Sequence, residues 1–193
     1  PVSLLARYGV AMMVRPDMRD AAGLPGLPGV LKAIRAHPGK LSYGSWGPAT
    51  YPHLIGEALA RRAGAPLVHV PYRGAAPALQ DLLAGQVDYA FDPGIGLQQV
   101  RAGKLRLLAV GSPQRSPLFP DVPTLDEAGL RGFDADTVFG FYAPAGTPPE
   151  VVTQLNAQIN RALALPAVKE RIASLGGEAV PGTPAEFQQR AAA

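Results

Sequence analysis

The chain has no cysteine in its 193 residues, so it forms no disulfide and offers no thiolate to a metal or a substrate. Charge is sparse. Eighteen Lys and Arg against fifteen Asp and Glu leave a net charge of +3 with no basic run, which argues against nucleic acid as a partner. The adjacent pair Arg61-Arg62 falls on a predicted solvated helix face. No apolar stretch approaches the roughly 20 residues that a membrane span requires. Catalytic fingerprints are missing as well. There is no phosphate loop and no dinucleotide motif, and Gly44-Ser45-Trp46-Gly47 does not match the G-x-S-x-G elbow of hydrolases. Neither an enzyme, a cofactor nor a metal centre is expected. The chain opens Pro1-Val2-Ser3 without an initiator methionine, so the expectation is that its start is not the gene's start and that a targeting segment has been removed.

What the sequence does hold is turns. Twenty-two glycines and twenty-one prolines are scattered between periodic segments, the pattern of many short elements rather than of a disordered tract. Ser3 to Val14 reads as one or two apolar strands broken at Gly9, and the breaker cluster from Ala22 to Pro28 as a linker. From Leu41 the alternation becomes regular. Strands are predicted at Leu41–Gly44, Leu67–Pro71, Val87–Phe91 and Leu105–Val110, with helices at Pro52–Ala63, Ala76–Ala84 and Leu97–Ala102 between them. Short apolar strands alternating with helices predict an α/β fold with a mostly parallel sheet covered on both faces. The last third of the chain holds three capping-box sequences, Thr124-x-x-Glu127, Thr147-x-x-Glu150 and Thr183-x-x-Glu186. A stripe of Val151, Leu155, Ile159 and Leu163 predicts a helix that packs along one face.

In open sheets of this kind ligands bind beyond the carboxyl ends of the strands, which singles out the loops Gly44–Thr50, Tyr72–Ala76 and Asp92–Gly96. The first is the most telling. Ser45, Gly47 and Thr50 place small hydroxyls and backbone N–H groups at a helix start, where an anion is favoured. Pro48, in the same loop, removes one donor. His53 lies one turn into that helix and is expected to be neutral and orienting, because a cation is disfavoured at a helix N-terminus. His37 and His69 read as structural. Tyr72 and Gly74 follow the next strand and are preferred over Arg73 as contacts. Asp92 ends its strand at the same edge, where it accepts from an amino group, bridges through water or orders the loop. Trp46 stacks on a ligand or walls the site.

The segments PGKLSYGSWGPATYPHLIGE, LVHVPYRGAAPALQDLLAGQVDYAFD, KLRLLAVGSPQRSPLFPDVPTLDEAG and FYAPAGTPPEVVTQLNAQINRAL, in that order, resemble the substrate-binding receptors of tripartite tricarboxylate transporters, also called Bug proteins. The resemblance implies a periplasmic-binding-protein-like fold of two lobes with open, mostly parallel sheets, and a receptor that closes on a small carboxylated metabolite. It also implies a periplasmic location and delivery of the ligand to membrane transporter subunits, the chain itself not being embedded. On this reading residues 23–132 form lobe 2, while 1–22 and 133–193 form a lobe 1 that is incomplete, because family members carry a further N-terminal stretch. Ser45, Gly47, Thr50, His53, Tyr72, Gly74 and Asp92 are the expected ligand contacts. Alternatives are a cytosolic ligand-sensing domain of a regulator, a truncated member without high-affinity binding, and an α/β enzyme with Ser45 as nucleophile and His53 as base.

Overall fold

The computed structural model describes residues 1–18, 26–132 and 136–192. Strand β1 (Ser3–Gly9) and strand β2 (Ala11–Val14) are separated by Val10 alone, yet they enter different sheets. The chain accordingly divides into a discontinuous unit, Pro1–Tyr8 with Thr137–Ala193, and a continuous unit, Gly9–Asp136. This differs from the expected division at residues 22 and 132. Residues 11–14 fall in the continuous unit because β2 hydrogen-bonds into its sheet. Part of the predicted Ala22–Pro28 linker lies outside the described residues.

In the continuous unit, helix α1 (Leu27–Ala36) leads to strand β3 (Ser42–Ser45), helix α2 (Tyr51–Ala63) and strand β4 (Val68–Pro71). Helix α3 (Ala75–Ala84), strand β5 (Tyr89–Asp92), helix α4 (Leu97–Arg101) and strand β6 (Arg106–Val110) follow. Each predicted strand and helix between Leu41 and Val110 is present within a few residues. α2 and α3 stop at Gly64 and Gly85, both in the left-handed conformation with φ of 68° and 78°, where glycine carries no β-carbon penalty. The sheet order is β4-β3-β5-β2-β6. β3 runs parallel to β4 and β5, whereas β2 is antiparallel to both β5 and β6. Four strands therefore share one direction, with an N-terminal strand inserted against them. All four residues of β2 are buried, as a central strand requires, and they point alternately to the two faces. Met12 joins Leu27, Ile34, Tyr43, Ile55 and Leu59 beneath α1 and α2, while Met13 joins Leu82, Val87 and Leu97 beneath α3 and α4.

In the discontinuous unit the sheet order is β7-β1-β8, with strand β7 at Asp136–Phe141 and strand β8 at Gly177–Ala179. β1 pairs antiparallel with β8, Ala6 opposite Ala179 and Tyr8 opposite Gly177. Helices α5 (Pro149–Ala164), α6 (Pro166–Ser174) and α7 (Pro184–Ala192) complete the unit. Leu163 and Ile172 are buried with Ala6, and Ile159 packs beside them. Only the second half of the predicted stripe is covered. Val151 and Leu155 are 38% and 43% exposed.

The capping boxes divide too. Thr183 and Glu186 form theirs reciprocally and open α7. Thr124 and Glu127 also bond reciprocally, but around a turn rather than a helix. Thr147 does not cap: its hydroxyl donates to Pro144 O at 2.8 Å, and Pro148 occupies the N-cap of α5.

Candidate functional site

Three loops meet at the carboxyl end of the central strands. Tyr72 N–H donates to Ser45 O at 3.0 Å, which ties the end of β4 to the end of β3. The Trp46 indole N–H donates to the Phe91 carbonyl at 2.9 Å and ties the β3 loop to the end of β5. Trp46 therefore walls this end of the sheet. Helices α2, α3 and α4 all begin here. The N-cap residues Thr50 of α2 and Gly74 of α3 make no side-chain cap bond, whereas Gly96, the N-cap of α4, donates its N–H to Asp92; none of the three helices has an acidic residue in its first turn. Their N-terminal N–H groups, such as those of Tyr51 and His53 in α2 and Ala75 and Ala76 in α3, are the orphan donors such ends present. Aligned peptide dipoles add positive potential at the same ends. In the three loops Arg73 is the basic side chain and Asp92 the acidic one.

Inside the 45–50 loop the hydroxyls face inward. Ser45 is fully buried; its Oγ accepts Gly47 N–H at 3.1 Å and lies 2.6 Å from Nε2 of His69. Thr50 Oγ1 donates to Gly47 O at 2.7 Å. Gly47 itself sits at φ 129°, a region where a β-carbon is strained, which is why the turn takes glycine. Ala49 also has positive φ, 62°, and its N–H donates to His53 Nδ1 at 3.0 Å. The sequence expectation gave Ser45 and Thr50 a direct donor role toward a carboxylate. In the structure both hydroxyls brace the loop instead.

His53 stacks on His69 with ring centroids 4.3 Å apart and planes at 18°, and His69 stacks in turn on Tyr43 at 5.0 Å. Burial and the neighbouring His53 hold His69 below the usual imidazole range, against the pull of Glu57. His69 was read from the sequence as a strand residue only. The usable signal was the predicted adjacency of two successive parallel strands, whose register sets Tyr43 beside His69 and Ser45 beside Pro71.

On the other two loops, the Tyr72 hydroxyl donates to Asp81 Oδ2 at 2.7 Å, and burial followed by that carboxylate pushes its pKa up to about 12. Gly74 caps α3 at φ 127°, again a glycine conformation. Asp92, 2% exposed, accepts Gly94 N–H at 2.6 Å and Gly96 N–H at 3.0 Å through Oδ1. Burial raises its pKa against these bonds. Of the three roles open to it, Asp92 fills the loop-ordering one. All seven candidate residues thus lie on the converging loops or the first turn behind them.

Among the described residues no group of three His, Asp or Glu is arranged to hold a metal ion. Ser45 and His69 form a hydroxyl–imidazole pair, but Ser45 is enclosed, whereas a nucleophile needs an open approach.

Comparison with known proteins agrees with this architecture. The family model described as the tripartite tricarboxylate transporter family receptor matches residues 1–192. A UPF0065 protein from the tcbD-tcbE intergenic region of Pseudomonas sp. strain P51 is 45% identical over 188 residues, covering 95% of this chain and 54% of that protein. Protein BugT of Bordetella pertussis is 36% identical over 186 residues, covering 95% and 56%. The chain thus spans about half the length of these relatives. Among solved structures, periplasmic binding protein BugD superposes with a TM-score of 0.89 at 33% identity, over 98% of this chain and 63% of that one. MatC of Rhodopseudomonas palustris, solved with bound malate, gives 0.86 at 31% identity, over 98% and 66%. A second protein from R. palustris, solved with adipate, gives 0.89 at 30% identity, over 98% and 62%. The fold is that of periplasmic binding proteins.

Proposed function

The chain belongs to the tripartite tricarboxylate transporter receptor family, and from that premise we propose that it binds a small carboxylate at the loops 45–50, 72–74 and 92–96. The observation that carries the proposal is the convergence of the N-termini of α2 and α3, both without side-chain caps, at one end of the sheet. Backbone donors at helix starts suit a carboxylate. Gly47 and Gly74 let the ligand approach the main chain, and Tyr72 supplies a fixed aromatic edge. Pro48 and Pro93 have no N–H, so ordered water completes the ligand's shell at their positions. The two R. palustris relatives solved with malate and adipate support a dicarboxylate as the ligand class.

The protein to which this chain corresponds is a periplasmic receptor that passes its ligand to membrane transporter subunits. Support comes from the family and from BugD. Among the described residues no helix is long and apolar enough to cross a membrane. The test is calorimetric titration of the purified chain with malate, adipate and the neutral diamide of adipate. Saturable binding of a dicarboxylate and none of the diamide is expected. Equal binding of the neutral compound, or no carboxylate binding, overturns the reading.

A further inference from the structure

We infer that His53 and His69 act together as positioning residues, holding the 45–50 loop in the shape that leads into the N-terminus of α2 while neutral and releasing it when they take up a proton. The inference rests on the reading above in that it concerns the same loop.

Geometry fixes the protonation state. Ala49 N–H donates to His53 Nδ1 at 3.0 Å, so that nitrogen carries a lone pair and the neutral ring keeps its proton on Nε2. Ala49 has φ 62°, a strained setting for a residue with a β-carbon, which persists only while its surroundings fix it. The bond to His53 is one of those fixings. A proton on Nδ1 turns the acceptor into a donor aimed at another donor, and the restraint on Ala49 is lost. On the other ring, Nε2 of His69 lies 2.6 Å from Ser45 Oγ, the atom that also accepts Gly47 N–H. The pair therefore grips the loop at Ser45 and at Ala49, the two ends of the turn around Gly47 and Pro48.

The rings stack at 4.3 Å, so two cations would face each other. His53 is the third residue of α2, where the helix dipole disfavours a cation. Glu57, one turn further along α2, lies 3.9 Å from His53 Nε2 and pulls the other way. Its attraction acts at Nε2 and does nothing to restore the bond at Nδ1. Tyr43, from β3, stacks on His69 and donates toward Glu57; burial and that carboxylate hold its hydroxyl protonated far above neutrality. Ser45 carries no charge. Acidification therefore charges the imidazoles, and the one other group facing them that can take up a proton is the Glu57 carboxylate.

The experiment follows the Ala49 amide and the imidazole nitrogens by NMR in the ligand-free chain, from about pH 7.5 to about pH 5. In parallel, calorimetry measures malate affinity over the upper part of that range. We expect the Ala49 amide to shift with the same midpoint as His53 Nδ1, and malate affinity to fall about tenfold one pH unit below it. His53→Ala should weaken malate binding above the midpoint and change it little below it. In His53→Gln a side-chain carbonyl accepts the Ala49 N–H without a titrating proton, so this variant should recover most of that affinity and flatten the pH profile. An Ala49 amide indifferent to imidazole protonation, or a His53→Gln variant with the original pH slope, overturns the inference. If malate fails to bind at any pH, the proposed function fails alone, and the Ala49 titration still decides the role of the histidines.

Discussion

Ser45 and Asp92 are the two residues of the site at which burial and hydrogen bonding act most strongly. Ser45→Ala leaves Gly47 N–H and the His69 nitrogen without their partner. Leaving buried groups unpaired costs about 1–3 kcal/mol, so urea unfolding should show a loss of that size. An unchanged midpoint would mean that the hydroxyl does not hold the loop. Asp92 behaves in the opposite way. Burial raises its pKa in the folded chain above the unfolded value, so the folded state binds its proton more readily. The stability this group contributes is fully present below the unfolded pKa and is lost as pH rises through the folded pKa. Asp92→Asn keeps an oxygen to accept Gly94 and Gly96 N–H and removes the charge. The variant should therefore gain stability over the parent near pH 7 and lose that advantage near pH 3.5. Urea midpoints at the two values check the sign, and a larger deficit at neutral pH would refute it.

At the scale of elements, the helices distinguish local rules from tertiary context. Gly→Ala inside a helix ordinarily stabilises by about 1 kcal/mol. At Gly56 of α2, however, a β-carbon would sit 2.1 Å from the buried Tyr43 ring, so Gly56→Ala should destabilise by about 1–3 kcal/mol, read as a drop in melting temperature. Thr183→Ala removes a formed N-cap and should lower stability by about 1 kcal/mol, whereas Thr147→Ala should change it little, because Thr147 caps nothing. Chemical denaturation of the pair tests the contrast. The same contrast marks what the sequence made legible. Strand, loop and helix from Leu41 to Val110 follow from periodicity and from stops such as Gly64 and Gly85, which are local signals. The three site loops followed from that alternation. The insertion of β2 between β5 and β6 was not legible, because pairing between Ala11 and both Asp92 and Val110 leaves no local pattern. The three capping boxes look alike as sequence, and it is the neighbouring Pro148 that takes the cap from Thr147. His69 escaped notice because its partner is twenty-four residues away on the neighbouring strand.

At the scale of the whole molecule the two units differ in how the chain composes them. Gly9–Asp136 is continuous, with its own sheet and two covered faces, while the other unit needs both ends of the chain. Removing residues 1–8 takes away the middle strand of β7-β1-β8. Hydrogen exchange on that truncated chain should show protection lost throughout residues 137–192 and kept in α2, α3 and β5, and uniform loss of protection would contradict the division. The register of β1 on β8, with Arg7 opposite Glu178, also has a consequence in time. These residues are 171 positions apart. At about 5–20 residues per second, β1 waits roughly 10–30 s on the ribosome before its partner strand is made. Until β7 is made, Leu4, Leu5 and Ala6 lack both of the strands that flank them in the folded sheet, while the continuous unit can already fold. Nascent chains of this protein should therefore depend on a holding chaperone for strand β1.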